Sequence, residues 1–333
     1  MTEWVEWSES EAAVKWDAAL SALPCYNLYQ TYGWGEFKRR HNWIIRRGSV
    51  IIDGAPAAMA QCLIREIRPV RVVIVWVPGG PAGRVEGRLR LGETLRQRYR
   101  EKAFCLRTNV LVEGGAEEKM EMMAAGWVAA SAEVGCPLTI HLDLGPDEQA
   151  RRRALTVNWR HNLKRGEERG TVIEVWEPTR SLETVYAVYR ETSRLKGIPE
   201  SMNLADLYAL REALGSSLTL AVAVRDEKKP CAFRGFGRIG DRAQDLLAGL
   251  SCSGRKYYAN YPLMWRLLEL AREQGARLYD MSGADPKRAP GVFDFKNGLG
   301  GRLMPLVGEW DWSSSVWLRR ALNAAVRYRG GRL

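Results

Sequence analysis

Apolar positions along the chain follow two periods, and their alternation lays out the fold. Trp4 to Trp7 reads as a short strand, and Ala13, Trp16, Leu20 and Leu23 keep helical spacing across residues 11–23. From Asn42 to Val77, runs rich in β-branched residues (50–52, 57–67 and 71–77) are separated by turn residues, which predicts an antiparallel meander. A helix over 86–102, a second over 117–125 and a strand over 137–144 close the first half. The second half repeats this order. One basic helix is expected over 147–169, then a strand over 171–175 and helices over 184–194 and 204–214, broken at Gly197-Ile198-Pro199. A second meander spans 218–224, 231–238 and 245–250, followed by a helix over 263–274 and a strand from Leu278. Helix, meander, helix, strand, read twice without repeated sequence, predicts an α/β protein of two domains whose mixed sheets are flanked by helices.

The stretch from Tyr279 to Gly301, YDMSGADPKRAPGVFDFKNGLGG, stands apart. Pro286 and Pro290 remove backbone donors, and Gly291, Gly298, Gly300 and Gly301 permit positive φ, so a long loop with no helix or regular strand is expected. Long ordered loops are usually functional. Lys296 lies between Phe295 and Asn297 just before the glycine turn, where a cation can be held against an aromatic ring. The chain then reads as a strand over 302–310 and a last helix capped by Ser313 and running to about Tyr328.

Composition narrows the chemistry. The 333 residues suit two domains at roughly 150 residues each. Lysine and arginine exceed aspartate and glutamate by 50 − 39 = 11, which favours an anionic partner. The six cysteines and three histidines are dispersed, without metal-ligand or redox spacing, so no metal and no cofactor are expected and all six cysteines read as buried thiols. No serine has a nucleophile-elbow context. No apolar run approaches the ~20 residues a membrane helix needs, and the N-terminus lacks a signal-peptide pattern, which makes a cytoplasmic monomer the default expectation. On the 147–169 helix, Leu155, Trp159 and Leu163 form one face, while Arg153, Arg160 and Lys164 share another. That cationic side is either a solvated face or a contact for RNA phosphates.

Four segments taken together resemble the Fem family. The first is Gln30-Thr31-Tyr32-Gly33-Trp34-Gly35-Glu36-Phe37-Lys38; the second, Trp159-Arg160-His161-Asn162. The third is Arg255-Lys256-Tyr257-Tyr258-Ala259-Asn260-Tyr261, and the fourth is the closing run with Asp285-Pro286, Pro290-Gly291-Val292 and Phe295-Lys296 before a double glycine. The resemblance implies two domains similar to GNAT-fold acetyltransferases. It assigns residues 1–145 with 311–333 to the acceptor-side domain and 146–310 to the donor-side domain, in the short form without a paired helical insertion. It also implies an aminoacyltransferase moving an amino acid from aminoacyl-tRNA, as co-substrate, to an amine on a peptidoglycan precursor peptide or a related small molecule.

By the same resemblance, Lys296 and Phe295 are the candidate catalytic residues, with Lys296 meeting the developing oxyanion. Lys38 and Tyr208 fall at acceptor-contacting positions. Arg153, Arg160, Lys164, Arg255 and Lys256 are the candidate tRNA and phosphate contacts. The chain departs from the family at several places. No arginine precedes Tyr208 within 201–205, Leu246-Leu247 stand where an aromatic-rich strand is expected, and Asn109 replaces an aspartate and, as an amide, cannot take a proton. These departures speak against the usual UDP-linked muropeptide as acceptor. An acyl-CoA-dependent N-acyltransferase on the same fold is the alternative, and the bulky Tyr257-Tyr258 turn, where CoA enzymes keep small residues for a pyrophosphate, speaks against it.

Overall fold

The computed structural model describes residues 1–225 and 229–330. Two compact units form: the first takes Met1–Thr139 together with the chain from Met304 onward, the second Ile140–Leu303. The sequence had placed these boundaries near 145 and 311; strand Arg302–Ser313 runs from the second unit's last residues into the first unit's sheet.

In the first unit, strands Thr2–Glu6, Ile44–Ile52, Ala55–Ile67 and Val72–Pro78 form an antiparallel series. Val72–Pro78 then pairs in parallel with Ala103–Glu113, which is antiparallel to Arg302–Ser313. The parallel pair requires a crossover, and helix Val85–Arg98 supplies it. The second unit repeats the plan. Strands Val172–Val175, Leu218–Arg225, Lys229–Ile239 and Arg242–Leu250 are antiparallel neighbours; Arg242–Leu250 pairs in parallel with Leu278–Asp280 across helix Asn260–Glu273, and Leu278–Asp280 pairs with Leu138–Asp143. The crossover helix buries Leu263, Met264, Leu267 and Ala271 at helical spacing against Phe236, Tyr279 and Ile140.

Two expected elements differ. Residues 147–169 fold as two helices, Glu148–Ala154 and Val157–Glu168. Leu155 is extended (φ −60°, ψ 141°) and Thr156 caps the second helix by accepting from Trp159 N, so a local side-chain cap interrupts a continuous amphipathic pattern. Within the expected loop, Pro290–Asn297 is a helix. Proline occupies its first position, where the missing N–H would have had no intrahelical partner and the fixed φ already suits a helix. The thiols also differ: Cys62, Cys105 and Cys231 are buried, Cys25 and Cys136 half-buried, and Cys252 is exposed at the start of a short helix.

The first unit closes over a buried polar network. Arg107 donates from Nε and Nη2 to both oxygens of Asp311 (2.7 and 2.9 Å), and Nη2 also reaches Asn323 Oδ1 at 2.9 Å. Asn323, on the last helix Val316–Tyr328, accepts from Ser131 N and Ala132 N and donates to Asp311 at 2.6 Å. That helix is capped by Ser315, not Ser313. Since Asn323 satisfies several buried groups at once, Asn323→Ala is expected to cost about 1–3 kcal/mol in urea unfolding; a loss below ~0.5 kcal/mol would show that the helix docks by its apolar face alone.

Candidate active site

Three of the segments singled out in the sequence converge inside the second unit. Trp159, from helix Val157–Glu168, donates its indole N–H to the Phe295 carbonyl at 3.0 Å, and its ring lies 5.7 Å from Phe295 and 5.0 Å from Tyr261. Tyr261 meets Phe295 edge-on at 5.3 Å and accepts a hydrogen bond from Asn162 Nδ2 at 3.0 Å. Trp159, Asn162, Tyr261 and Phe295 thus form one aromatic block with its polar tips satisfied.

The glycine turn fits this block because it lacks side chains. A Cβ on Gly298 would lie 2.7 Å from the Trp159 ring, and one on Gly300, which also has φ +79°, would lie 2.3 Å from the Ala154 carbonyl oxygen. Thr156 N donates to Gly298 O at 3.0 Å, which ties the turn to the break between the two basic helices. Asp285 pins the preceding loop by accepting from Lys287 N and Arg288 N, and those two bonds hold its carboxyl below the usual aspartate range.

Lys296 sits in the last turn of helix Pro290–Asn297 and is 8 % exposed. Its ammonium donates to the carbonyls of Met281 (2.6 Å), Gly283 (2.8 Å) and Ser282 (3.3 Å), where the chain leaves strand Leu278–Asp280. Arg234 places a cation over the Phe295 ring, 5.3 Å from its centre.

Arg234 was not singled out from the sequence, although a charge inside the apolar run Cys231–Phe236 is the signal that could have found it. It is 5 % exposed and donates from Nη2 to Asp245 Oδ2 at 2.7 Å and, weakly, from Nη1 to Asn260 Oδ1 at 3.4 Å. Its Nε has no partner among the described residues. Asp245 also accepts from the hydroxyl of Tyr279 at 3.2 Å. Full burial, then the Asp245 charge, raise the Tyr279 phenol well above its ordinary value. A bulge between Gly235 and Phe236 sets this geometry by placing Asp245 opposite Phe236, on the face shared with Arg234.

The remaining expected contacts are placed as follows. Arg153 ends the first basic helix, whereas Arg160 and Lys164 lie one turn apart on the second, and all three are exposed. Arg160 is partly structural, donating to the carbonyls of Arg153 (3.1 Å) and Leu155 (2.8 Å) at the helix break. Lys164 stands 3.7 Å from Glu168. Arg255 and Lys256 are exposed in the last turn of the short helix Cys252–Lys256, and helix Asn260–Glu273 begins three residues before its expected start. Beside them the two tyrosines carry arginines the sequence reading passed over. Arg225 stacks 3.7 Å from the Tyr257 ring, while Arg169 and Arg165 lie 4.9 and 5.6 Å from Tyr258. Desolvation first, then Arg255 and Arg234, pull the Lys196 ammonium below its ordinary value.

Tyr208 is committed within its own unit, accepting from Leu182 N and donating to Glu183, each at 3.0 Å. Lys38 belongs to the first unit, half-buried in helix Tyr32–Arg39, with its ammonium 4.9 Å from the Trp34 ring centre and 5.2 Å from that of Phe37. Among the described residues no group of three or more histidine, cysteine or acidic side chains is placed to hold a metal ion, and no helix is long and apolar enough to cross a membrane.

Residues 238–326, which include the tyrosine turn, Phe295 and Lys296, match the sequence profile of the FemAB family. The fold of the chain is similar to that of FemX in a crystal structure, with a TM-score of 0.84 at 17 % identity over 96 % of this chain and 100 % of that one. L-PGS from Bacillus licheniformis is similar at TM-score 0.55 and 16 % identity (86 % and 90 % of the two chains). A tandem GNAT protein from the clavulanic acid biosynthesis pathway is similar at 0.55 and 15 % (95 % and 99 %). The chain therefore has the mixed α/β, GNAT-like architecture that its repeated meander and crossover predicted. A search of curated proteins finds no match to the sequence.

Proposed function

We propose that this protein is an aminoacyltransferase that moves an amino acid from the 3′ ester of aminoacyl-tRNA to the amine of a peptidoglycan precursor peptide or a related small molecule. The match of residues 238–326 to the FemAB family supports acyl transfer in general terms. The observation that carries the choice of donor is the start of helix Asn260–Glu273. A pyrophosphate cradle needs unengaged backbone N–H groups there. In this chain Tyr261 N donates to Tyr258 O, Leu263 N donates to Ala259 O, and Pro262 has no N–H. The approach is occupied by Tyr257 and Tyr258 with arginines against their rings. That arrangement is poor for CoA. It suits RNA, whose phosphates pair with arginine and whose bases stack on aromatic and guanidinium planes.

In the proposed step the acceptor nitrogen attacks the ester carbonyl, the carbon–oxygen bond to the ribose breaks, and the ribose oxygen leaves with the proton lost from the amine. Negative charge builds on the carbonyl oxygen in between. Lys296 is the candidate partner for it, and the Ser282 carbonyl, the most distant of the carbonyls at 281–283 at 3.3 Å, is the acceptor an oxyanion would replace. No covalent enzyme intermediate is required. Mass spectrometry after incubation with charged tRNA pools and candidate amines should show one aminoacyl unit added to an acceptor, whereas acyl-CoA should give no adduct. Transfer from acyl-CoA alone would overturn the donor assignment.

The cationic face makes a separate prediction. Each phosphate contact contributes roughly 0.7–0.9 to the slope of log affinity against log salt. Reversing Arg153 and Lys164, both exposed, while keeping Arg160 at the helix break, should weaken tRNA binding by about tenfold and flatten that slope by about 1–2 units. An unchanged slope in a folded double variant would return this face to a purely solvated role.

A further inference from the structure

The second unit contains a cavity of about 240 Å³ that the transfer reading does not use. Its walls include Leu182 at the N-cap and Val185 in the first turn of helix Glu183–Lys196, Leu207 from helix Leu204–Leu214, and Leu218, Leu220 and Leu247 from the sheet. The sheet leaves room for it in a specific way. Leu218 and Leu220 stand opposite Gly237 and Gly235, and Leu247 stands opposite Gly235 on the next strand. The middle strand therefore presents no side chain between two rows of leucine. The bulge that turns Asp245 towards Arg234 also puts Leu247 on this opposite face.

Among the described residues that line the cavity, one carries a charge, the guanidinium of Arg211. Arg180 is stacked 3.8 Å from Trp176 and paired with Glu174 at 2.7 Å, so its charge is spent. Arg211, which lines the cavity, lies 4.9 Å from the Tyr208 ring and donates from Nη1 to the Arg180 carbonyl at 2.5 Å; its other N–H groups have no hydrogen-bond partner among the described residues. We infer that this cavity binds an amphiphile with one unbranched aliphatic chain and one anionic head, the chain between the leucine rows and the carboxylate or phosphate on Arg211. A nucleobase or sugar is the wrong occupant. The walls offer Ser216 and Arg211 as polar side chains, so a base edge buried there would leave most of its donors and acceptors unpaired.

The inference does not depend on the choice of acyl donor and stands or falls by binding alone, although the cavity adjoins Tyr208 through Arg211. Isothermal titration of the whole chain with sodium octanoate, sodium decanoate, decyl phosphate and decylamine, each below its micelle concentration, tests it. Saturable 1:1 binding is expected for both anions, tighter by about fourfold per added methylene until the cavity is full. The tighter of decanoate and decyl phosphate identifies the head group. Decylamine should bind at least about tenfold more weakly than decanoate, and Arg211→Gln should bring the two within about threefold. Leu247→Trp fills the cavity from the sheet and Val185→Phe from the helix; either, if its thermal melt matches the parent, should abolish binding. Absence of saturable binding, preference for the amine, or anion binding unmoved by a folded filling variant would overturn the inference.

Discussion

Lys296→Met is expected to slow single-turnover aminoacyl transfer by on the order of 100- to 1000-fold, the usual cost of deleting one preorganised donor to a developing oxyanion. The structure adds a second consequence. The ammonium holds three backbone carbonyls at Met281–Gly283, and a thioether cannot replace it, so the variant should also lose about 1–3 kcal/mol of stability. The two effects separate by measurement. Transfer is followed at saturating substrate at a temperature where circular dichroism shows the variant folded, and tRNA affinity is measured alongside. Near-normal transfer in the folded variant would eliminate the role. A parallel loss of tRNA affinity would instead make Lys296 a donor-positioning residue that acts through the 281–283 turn.

The distinction follows from where Lys296 lies. As a loop residue it would be a flexible cation awaiting substrate. As a buried residue in the last turn of a helix, it sits where the helix dipole favours positive charge, and its stem is fixed. A donor fixed before the reaction has little left to reorganise as charge develops, and that is the property electrostatic catalysis depends on.

How much of this could be read from the sequence varied with the range of the interaction that decides it. The two meanders and crossover helices were legible because burial of one face imposes period on every element. Trp159, Tyr261 and Phe295 were legible only through family resemblance: nothing in their spacing says that three segments, the outer two 136 residues apart, share one aromatic block. The helix Pro290–Asn297 was hidden by proline and glycine, whose breaking tendency depends on position, and Pro290 falls at the one turn that tolerates it. The break at Leu155 went the other way, a hydroxyl cap at Thr156 overriding an unbroken apolar stripe. Arg234 could have been noticed as a charge inside an apolar run, but its pairing with Asp245 was illegible because that partner is reached through a bulge, and sequence alternation alone does not reveal where an extra residue enters a strand.

That bulge-dependent pair carries the last prediction. Asp245→Ala should destabilise the protein by about 3–5 kcal/mol, because it leaves the Arg234 guanidinium buried without its counter-charge and the Tyr279 hydroxyl without its acceptor. Replacing both partners by apolar residues, Arg234→Met with Asp245→Leu, should cost less than the single change, since no uncompensated charge then remains inside. Tyr279 gives the pH signature. Its folded-state value lies well above the ordinary tyrosine value of ~10. Stability from this group is therefore complete below that pH and is lost as pH rises above it towards the folded value. Asp245→Asn removes the Coulombic share of the shift and leaves the larger desolvation share, so alkaline loss should begin at the same pH and level off sooner, with a smaller total. Urea unfolding of the four proteins between neutral pH and about pH 11 checks both points. If Asp245→Ala stays within ~1 kcal/mol of the parent, or the double variant is no more stable than the single, then water or a backbone shift neutralises Arg234. The cation under Phe295 would in that case not depend on Asp245.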